Sequence, residues 1–248
     1  MKLVLKVILQ LRAVVTTCLF IIATAFLSAL GVTMNILFNR RRLDNWIMTT
    51  WGNLSCKIFN VELKTYGAEN LKRGQGAVLL FNHASFMDIL AICGALYNVR
   101  FGAKIELFKI PVFGACMRRF GTLPISRGNR EEVFKVYEEA KIRFARGERF
   151  ALSPEGGRFH AEQLLPFKAG PFVFGINSQV PLIPVVIKGA YEVWPKGKML
   201  ANSDRWKRTI EVHVLEPVST EGFTTKDRTV LQDKIYKAMN AVYIAPMN

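Results

Sequence analysis

The sequence predicts an α/β fold: a central, mostly parallel sheet flanked by helices, preceded by an N-terminal membrane-associated helical segment. Two observations carry this. After about Val61, short apolar runs alternate with amphipathic stretches, as strands and covering helices do in a layered α/β domain. Before that point lies a long run, Ala13 to Asn39, with no charged residue. No internal repeat or low-complexity linker interrupts the chain, so residues 1–57 are read as the N-terminal segment and 58–248 as one catalytic domain.

As a helix, the charge-free run would be roughly 40 Å long, more than the ~30 Å hydrocarbon core of a bilayer. Basic residues stand at both ends, Lys2, Lys6 and Arg12 before it and Arg40, Arg41 and Arg42 after it, so the positive-inside rule says little about orientation. Three readings compete. One is a tilted single span. Another is a hairpin bending near Gly31 in one leaflet, with Trp46 and Trp51 at headgroup level. The third is a signal peptide ending at Ala23-Thr24-Ala25, although the apolar run continues to Phe38. All three imply an encounter with a membrane.

The predicted strands are Val61–Tyr66, Ala77–Phe81, Val99–Ala103, Thr122–Ile125, Arg149–Ser153, Leu182–Ile187 and Thr209–Val214. The intervening helices fall at Ser85–Tyr97, Val112–Phe120, Asn129–Arg146, Pro171–Ser178 and Thr225–Tyr243. Ligands of such sheets bind beyond the carboxyl ends of the strands. The residues with chemistry to offer fall in those places.

Bulk composition narrows the chemistry. A net charge of +15 calls for an anionic partner, and a half-hydrophobic composition favours lipid over nucleic acid. The aromatic residues sit in apolar runs and not among the cations, so no nucleic-acid partner is expected. Cys18, Cys56, Cys93 and Cys116 form no C-x-x-C pair, which suits a reducing compartment and offers no zinc cage. With only His83, His160 and His213 as histidines, no metal site is expected.

The stretch Phe81-Asn82-His83-Ala84-Ser85-Phe86-Met87-Asp88 turns from strand to helix. Ser85 and Asp88 have the spacing of a capping box, Ser85 as N-cap and Asp88 as N3. At such a corner Asp88 can reach the His83 imidazole, hold one ring nitrogen protonated and leave the other to accept a proton from an alcohol. Taken alone, the pair reads more readily as a helix cap beside a loop histidine, because H-x4-D is short and common. Lys104, in Lys104-Ile105-Glu106-Leu107-Phe108-Lys109-Ile110-Pro111-Val112-Phe113-Gly114, and Arg127, after Gly121, each follow a strand. In Ser153-Pro154-Glu155-Gly156-Gly157-Arg158 the glycines admit a ligand close to the backbone, Arg158 offers a fork for phosphate, and Glu155 can fix either that fork or the loop. Pro166-Phe167-Lys168-Ala169-Gly170 adds a further cation, and Val180-Pro181-Leu182-Ile183-Pro184-Val185 leads into a buried strand.

Together these blocks resemble the glycerolipid acyltransferase family: H-x4-D at His83 and Asp88, a second block from Lys104 to Arg127, P-E-G-x-R at Pro154 to Arg158, and V-P-x-x-P-V at Val180 to Val185. The resemblance covers less than half the chain. It implies acyl transfer from acyl-CoA or acyl-carrier protein, a co-substrate with no further cofactor, to the 2-hydroxyl of 1-acyl-glycerol-3-phosphate. His83 would be the base and Asp88 its partner. Lys104, Arg127 and Arg158 would bind the acceptor phosphate, with Glu155 and Gly156 shaping the loop. No G-x-S-x-G elbow suggests a covalent acyl-enzyme. The partners implied are the bilayer, a lysophospholipid and the thioester donor, with the catalytic domain on the cytoplasmic side. Ser153 and Gly157 depart from the family's usual Phe and Thr or Ser, which leaves open another lysolipid or an aminolipid acceptor. A non-catalytic protein binding anionic membranes, and a thioester hydrolase, are the remaining alternatives.

Overall fold

The computed structural model describes residues 2–126 and 128–247. Two helices come first, α1 (Lys2–Phe38) and α2 (Arg41–Ile58). The strands are β1 (Val61–Tyr66), β2 (Ala77–Phe81), β3 (Val99–Lys104), β4 (Leu123–Ile125), β5 (Arg149–Leu152), β6 (Leu182–Lys188) and β7 (Arg208–Val214). Between and after them run α3 (Met87–Ala95), α4 (Phe113–Arg119), α5 (Arg130–Phe144), α6 (Gly170–Ser178), α7 (Ala190–Val193) and α8 (Arg228–Ile244). All seven strands predicted from the sequence are present.

The strand order is β1-β7-β6-β2-β5-β3-β4, and every neighbouring pair is parallel except β6 with β7. The apolar runs of β2, β5 and β6 are buried along their whole length, as expected of parallel strands covered on both faces. Alternation separates their side chains. Leu79, Phe81, Ile183 and Val185 pack toward α1, α2 and α3. Val78, Leu80, Phe150 and Leu152 pack toward α5, α6 and α8.

Helix α1 is continuous through Gly31, so the chain does not bend there. It reverses at Asn39, which takes a left-handed φ of 45°, and Arg40. A side chain at Gly31 would press on the Phe120 ring, 2.7 Å from its Cζ, so this glycine serves helix packing. Val4–Phe38 is long and apolar enough to cross a membrane. Only 28% of its most apolar window is buried, whereas a soluble core helix would be mostly covered. Trp51, expected at headgroup level, is half-buried and packed within the fold. Its indole N–H donates to Thr24 Oγ1 at 2.9 Å, and its ring meets Phe86 and Phe113. Trp46 remains exposed.

The residue 57 boundary falls at the end of α2, and the two sides of it share a core. Phe20 and Cys56 lie in the same cluster as Leu79 and Leu90. Helices α2 and α3 cross at Gly52 and Gly94, where a Gly52 Cβ would stand 2.3 Å from the Gly94 nitrogen. Helix α1 also reaches the corner after β2, since the Phe20 ring packs edge-on against Phe86 and Trp194.

Candidate functional site

The site begins where β2 ends. Asn82, just past the strand, is locked to β6 by its side-chain amide, which donates to the Ile187 carbonyl at 2.8 Å and accepts from the Ile187 N–H at 2.7 Å. This fixes the direction in which His83 leaves the sheet. The corner then folds back on Asp88, whose Oδ2 accepts from the backbone N–H groups of Ala84 and Ser85, both at 2.8 Å. The same oxygen lies 2.8 Å from His83 Nδ1, short enough for a charge-assisted hydrogen bond. Asp88 is fully buried and the His83 side chain only 16% exposed, so the pair is shielded while the ring keeps one open side. With Nδ1–H donated to the carboxylate, Nε2 is the ring atom left to take a proton.

The expected capping box forms in one half only. Ser85 N–H does bond Asp88, but Ser85 Oγ accepts from Met87 N–H and donates to the Trp194 carbonyl at 2.6 Å, and the N-cap position falls at Phe86. The extra residue between serine and helix arises because Asp88 holds the corner and not only the first turn. Asn82 is thus a positioning group that sequence reasoning did not single out, bonded to β6, and Ser85, expected only as a cap, ties the corner to Trp194.

The loop after β5 closes against this corner. Glu155 is buried, and its two carboxylate oxygens accept from His83 N–H at 3.1 Å and from Leu165 N–H at 3.2 Å. It fixes loops and not the Arg158 fork. Burial raises its carboxyl above the usual range, while the N–H groups of His83 and Leu165 pull it back down. From the other side, Phe159 N–H donates to the His83 carbonyl at 2.7 Å, which brings the Arg158 backbone next to His83. Gly156 adopts φ +74°, and a Cβ there would lie 2.7 Å from Lys168 Nζ. Lys168 therefore lies over the Gly156-Gly157 turn, tied to it by its own N–H to the Pro154 carbonyl at 2.7 Å. Its sequence signal was the Phe167-Lys168-Ala169-Gly170 block.

Lys104 ends β3 at the same edge of the sheet. Phe101 and Leu79 both pair with Ala151, so Lys104 is level with Asn82, two strands away and roughly 10 Å off at the backbone. Its ammonium is 3.2 Å from Glu106 in an exposed ion pair. Arg127 lies outside the described residues. Arg158 is half-buried, and among the described residues its guanidinium makes no hydrogen bond or ion pair; its carbonyl accepts from Lys196 Nζ at 3.1 Å. The other two histidines are stacked on tyrosines, His160 on Tyr191 and His213 on Tyr66. His213 also meets a carboxylate, Glu211, but the two stand two residues apart within strand β7, which runs antiparallel to β6.

This arrangement is an imidazole oriented by a buried carboxylate, beside a glycine turn with cations around it. It can deprotonate a hydroxyl while holding an anionic group nearby.

A family model described as Acyltransferase matches residues 62–188, which include His83, Asp88, Lys104 and the Glu155 loop. A curated relative, 1-acyl-sn-glycerol-3-phosphate acyltransferase alpha from Homo sapiens, is 29% identical over 188 residues, 75% of this chain and 65% of that protein. An uncharacterized acyltransferase from Schizosaccharomyces pombe is 31% identical over 194 residues, covering 75% of this chain and 67% of its own length. The fold matches the crystal structure of the 1-acyl-sn-glycerophosphate (LPA) acyltransferase PlsC from Thermotoga maritima. The TM-score is 0.80 at 23% identity, over 97% of this chain and all of that one.

Proposed function

The chain belongs to the Acyltransferase family, and we propose that it transfers a fatty acyl group from acyl-CoA or acyl-carrier protein to the 2-hydroxyl of 1-acyl-glycerol-3-phosphate, giving phosphatidate. The observation that carries this reading is the 2.8 Å contact between His83 Nδ1 and the buried Asp88 carboxylate at the carboxyl edge of the sheet. The acceptor named in the human relative supports the choice of substrate.

In this mechanism His83 Nε2 takes the proton of the acceptor hydroxyl as its oxygen attacks the thioester carbonyl. The C–O bond forms, the tetrahedral intermediate collapses, and the C–S bond breaks. The imidazolium proton then passes to the departing thiolate, so ester and free thiol leave and the enzyme is unchanged. Asp88 keeps the ring in the right tautomer and stabilises the transient imidazolium. Arg158, Lys104 and Arg127 are assigned to the acceptor phosphate, with Lys168 beside the glycine turn as a further cation. Glu155 and Gly156 shape that turn. No metal or other cofactor is assigned a role.

The protein acts at a membrane, with α1 as the apolar anchor and the sheet's carboxyl edge on the cytoplasmic side, where thioester donors are found. The experiment that tests the proposal is transfer from labelled acyl-CoA to lysophosphatidate, followed by phosphatidate formation. His83→Ala is expected to lose at least ~10²-fold in rate. Equal rates for wild type and variant would leave a non-catalytic membrane-binding protein as the better reading. Preference for an acceptor without a phosphate would reassign the substrate, and thioester loss without acceptor would indicate a hydrolase.

A further inference from the structure

We propose that residues 105–112 form a second membrane-docking element, inserting into the headgroup–acyl boundary of an anionic bilayer beside α1. It rests on the reading that the acceptor is a membrane lipid and adds how the catalytic edge is seated on that membrane.

Ile105, Leu107, Ile110 and Val112 are 41%, 38%, 45% and 47% exposed, four large apolar side chains within eight residues of surface. Such clustering on a surface marks an interaction site, where single exposed apolar residues would not. The segment is built to hold these side chains outward. Phe108 is buried as a peg, and its carbonyl accepts from Arg118 Nη1 at 2.7 Å. Gly114 packs so closely beneath it that a Cβ would fall 2.3 Å from the Phe108 oxygen. Val112 has φ +61° and ψ −57°, with the Phe113 N–H donating to the Pro111 carbonyl at 2.6 Å, which is a γ-turn. A β-branched residue is strained in that conformation, and here the strained side chain is presented to the outside.

Placement and charge choose the occupant. The segment runs directly into α4, which packs on α1 through Phe120 and Cys116 at Gly31 and, by way of Phe113 and Trp51, at Thr24. The outward apolar face of α1, with Leu19, Ile22 and Phe26, is thus one helix away. Exposed cations accompany it: Lys109 in the segment, Arg118 and Arg119 at the end of α4, and Arg41, which donates to the Arg119 carbonyl. Apolar tips with cations around them fit anionic headgroups above acyl chains. Because β3 leads straight into the segment, its insertion would set the carboxyl edge of the sheet, with His83, at the membrane surface.

The test uses the full chain in vesicles of phosphatidylcholine and phosphatidylglycerol. In a Cys18→Ser background the remaining thiols are buried, and an environment-sensitive nitrobenzoxadiazole probe is attached at Ile110→Cys. A second protein carries the probe at Val230→Cys on α8, exposed on the opposite face of the sheet. Reconstitution is expected to shift the 110 probe to the blue and to cut its quenching by iodide severalfold, leaving the 230 probe unchanged. A 110 probe as accessible to iodide as the 230 probe would overturn the proposal. Leu107→Ser/Ile110→Ser is expected to slow transfer to vesicle-borne, long-chain lysophosphatidate at least fivefold and to leave transfer to a short-chain, monomeric acceptor unchanged. Equal loss on both acceptors, or loss on neither, would also overturn it, as would retention of the docking effect only with an added protein partner. A wild type inactive on both acceptors sinks the proposed reaction instead, and the probe result still decides the docking.

Discussion

Glu155 stands three residues from Arg158, yet its carboxylate serves two amides from other loops, His83 N–H and Leu165 N–H. Glutamine keeps one acceptor and cannot serve both, so Glu155→Gln leaves a buried N–H without a partner. The expected cost is about 1–3 kcal/mol. Loosening of the His83 backbone should slow acyl transfer roughly tenfold. The pH dependence has a definite sign. Because burial raises the Glu155 carboxyl, the folded state holds this proton more tightly than the unfolded chain does. Its contribution to stability is therefore greatest in acid and falls as pH rises from the ordinary carboxyl value through the raised one. Glutamine removes that fall. Melting temperatures across pH 4 to 7, taken here as roughly the carboxyl window, should show the gap between wild type and variant narrowing as pH increases.

At the scale of elements, the crossing of α2 and α3 matters most for the site, because α3 carries Asp88. The two helices approach backbone to backbone at Gly52, where a methyl group would stand 2.3 Å from the Gly94 nitrogen and 2.5 Å from the Leu90 carbonyl oxygen. Backbone cannot give way as a side-chain tip can. Gly52→Ala is expected to destabilise by about 1–3 kcal/mol. Since α3 must shift to accommodate it, transfer activity should fall as well, while the His83 and Asp88 side chains stay chemically intact. A variant with wild-type melting temperature and rate would show that α2 can move without disturbing α3.

Across the whole molecule, one buried carboxylate gathers three separated parts of the chain. Glu148 lies 2.6 Å from Arg143 of α5, 3.7 Å from Arg41 of α2 and 3.9 Å from Arg100 of β3. Arg100 is fully buried, and burial lowers its guanidinium to about 10 even with Glu148 pulling the other way. Removing the carboxylate leaves that cation in the core without its nearest counter-charge, with Asp44 the remaining acid acting on it. Glu148→Gln is expected to lose about 3–5 kcal/mol of stability, read as a drop in denaturation midpoint. The rate per folded molecule should stay within about twofold of wild type, as expected for a site distant from the chemistry. A large loss of rate with an unchanged midpoint would place Glu148 in the reaction instead of the scaffold.

The central strands β2, β5 and β6 were legible in the sequence because doubly covered strands must be written as apolar runs. The partly exposed β1 and β7 were legible because their apolar residues alternate with polar ones. The His83–Asp88 contact was legible too, since a strand-to-helix corner brings positions five apart together by local geometry. Partners supplied by topology were not. Glu155 near Arg158, and Arg100 inside an apolar strand, look alike as charges in a chain. Their bonds are chosen by which strands and loops the sheet order sets side by side. The same holds for α1, whose apolar run announced a membrane helix while its seat against Phe86, Trp194 and Phe120 depended on the assembled domain. Local pattern determines which elements form and what chemistry they carry. Long-range packing determines which charge meets which, because burial and distance, and not position along the chain, set the strength of an electrostatic contact.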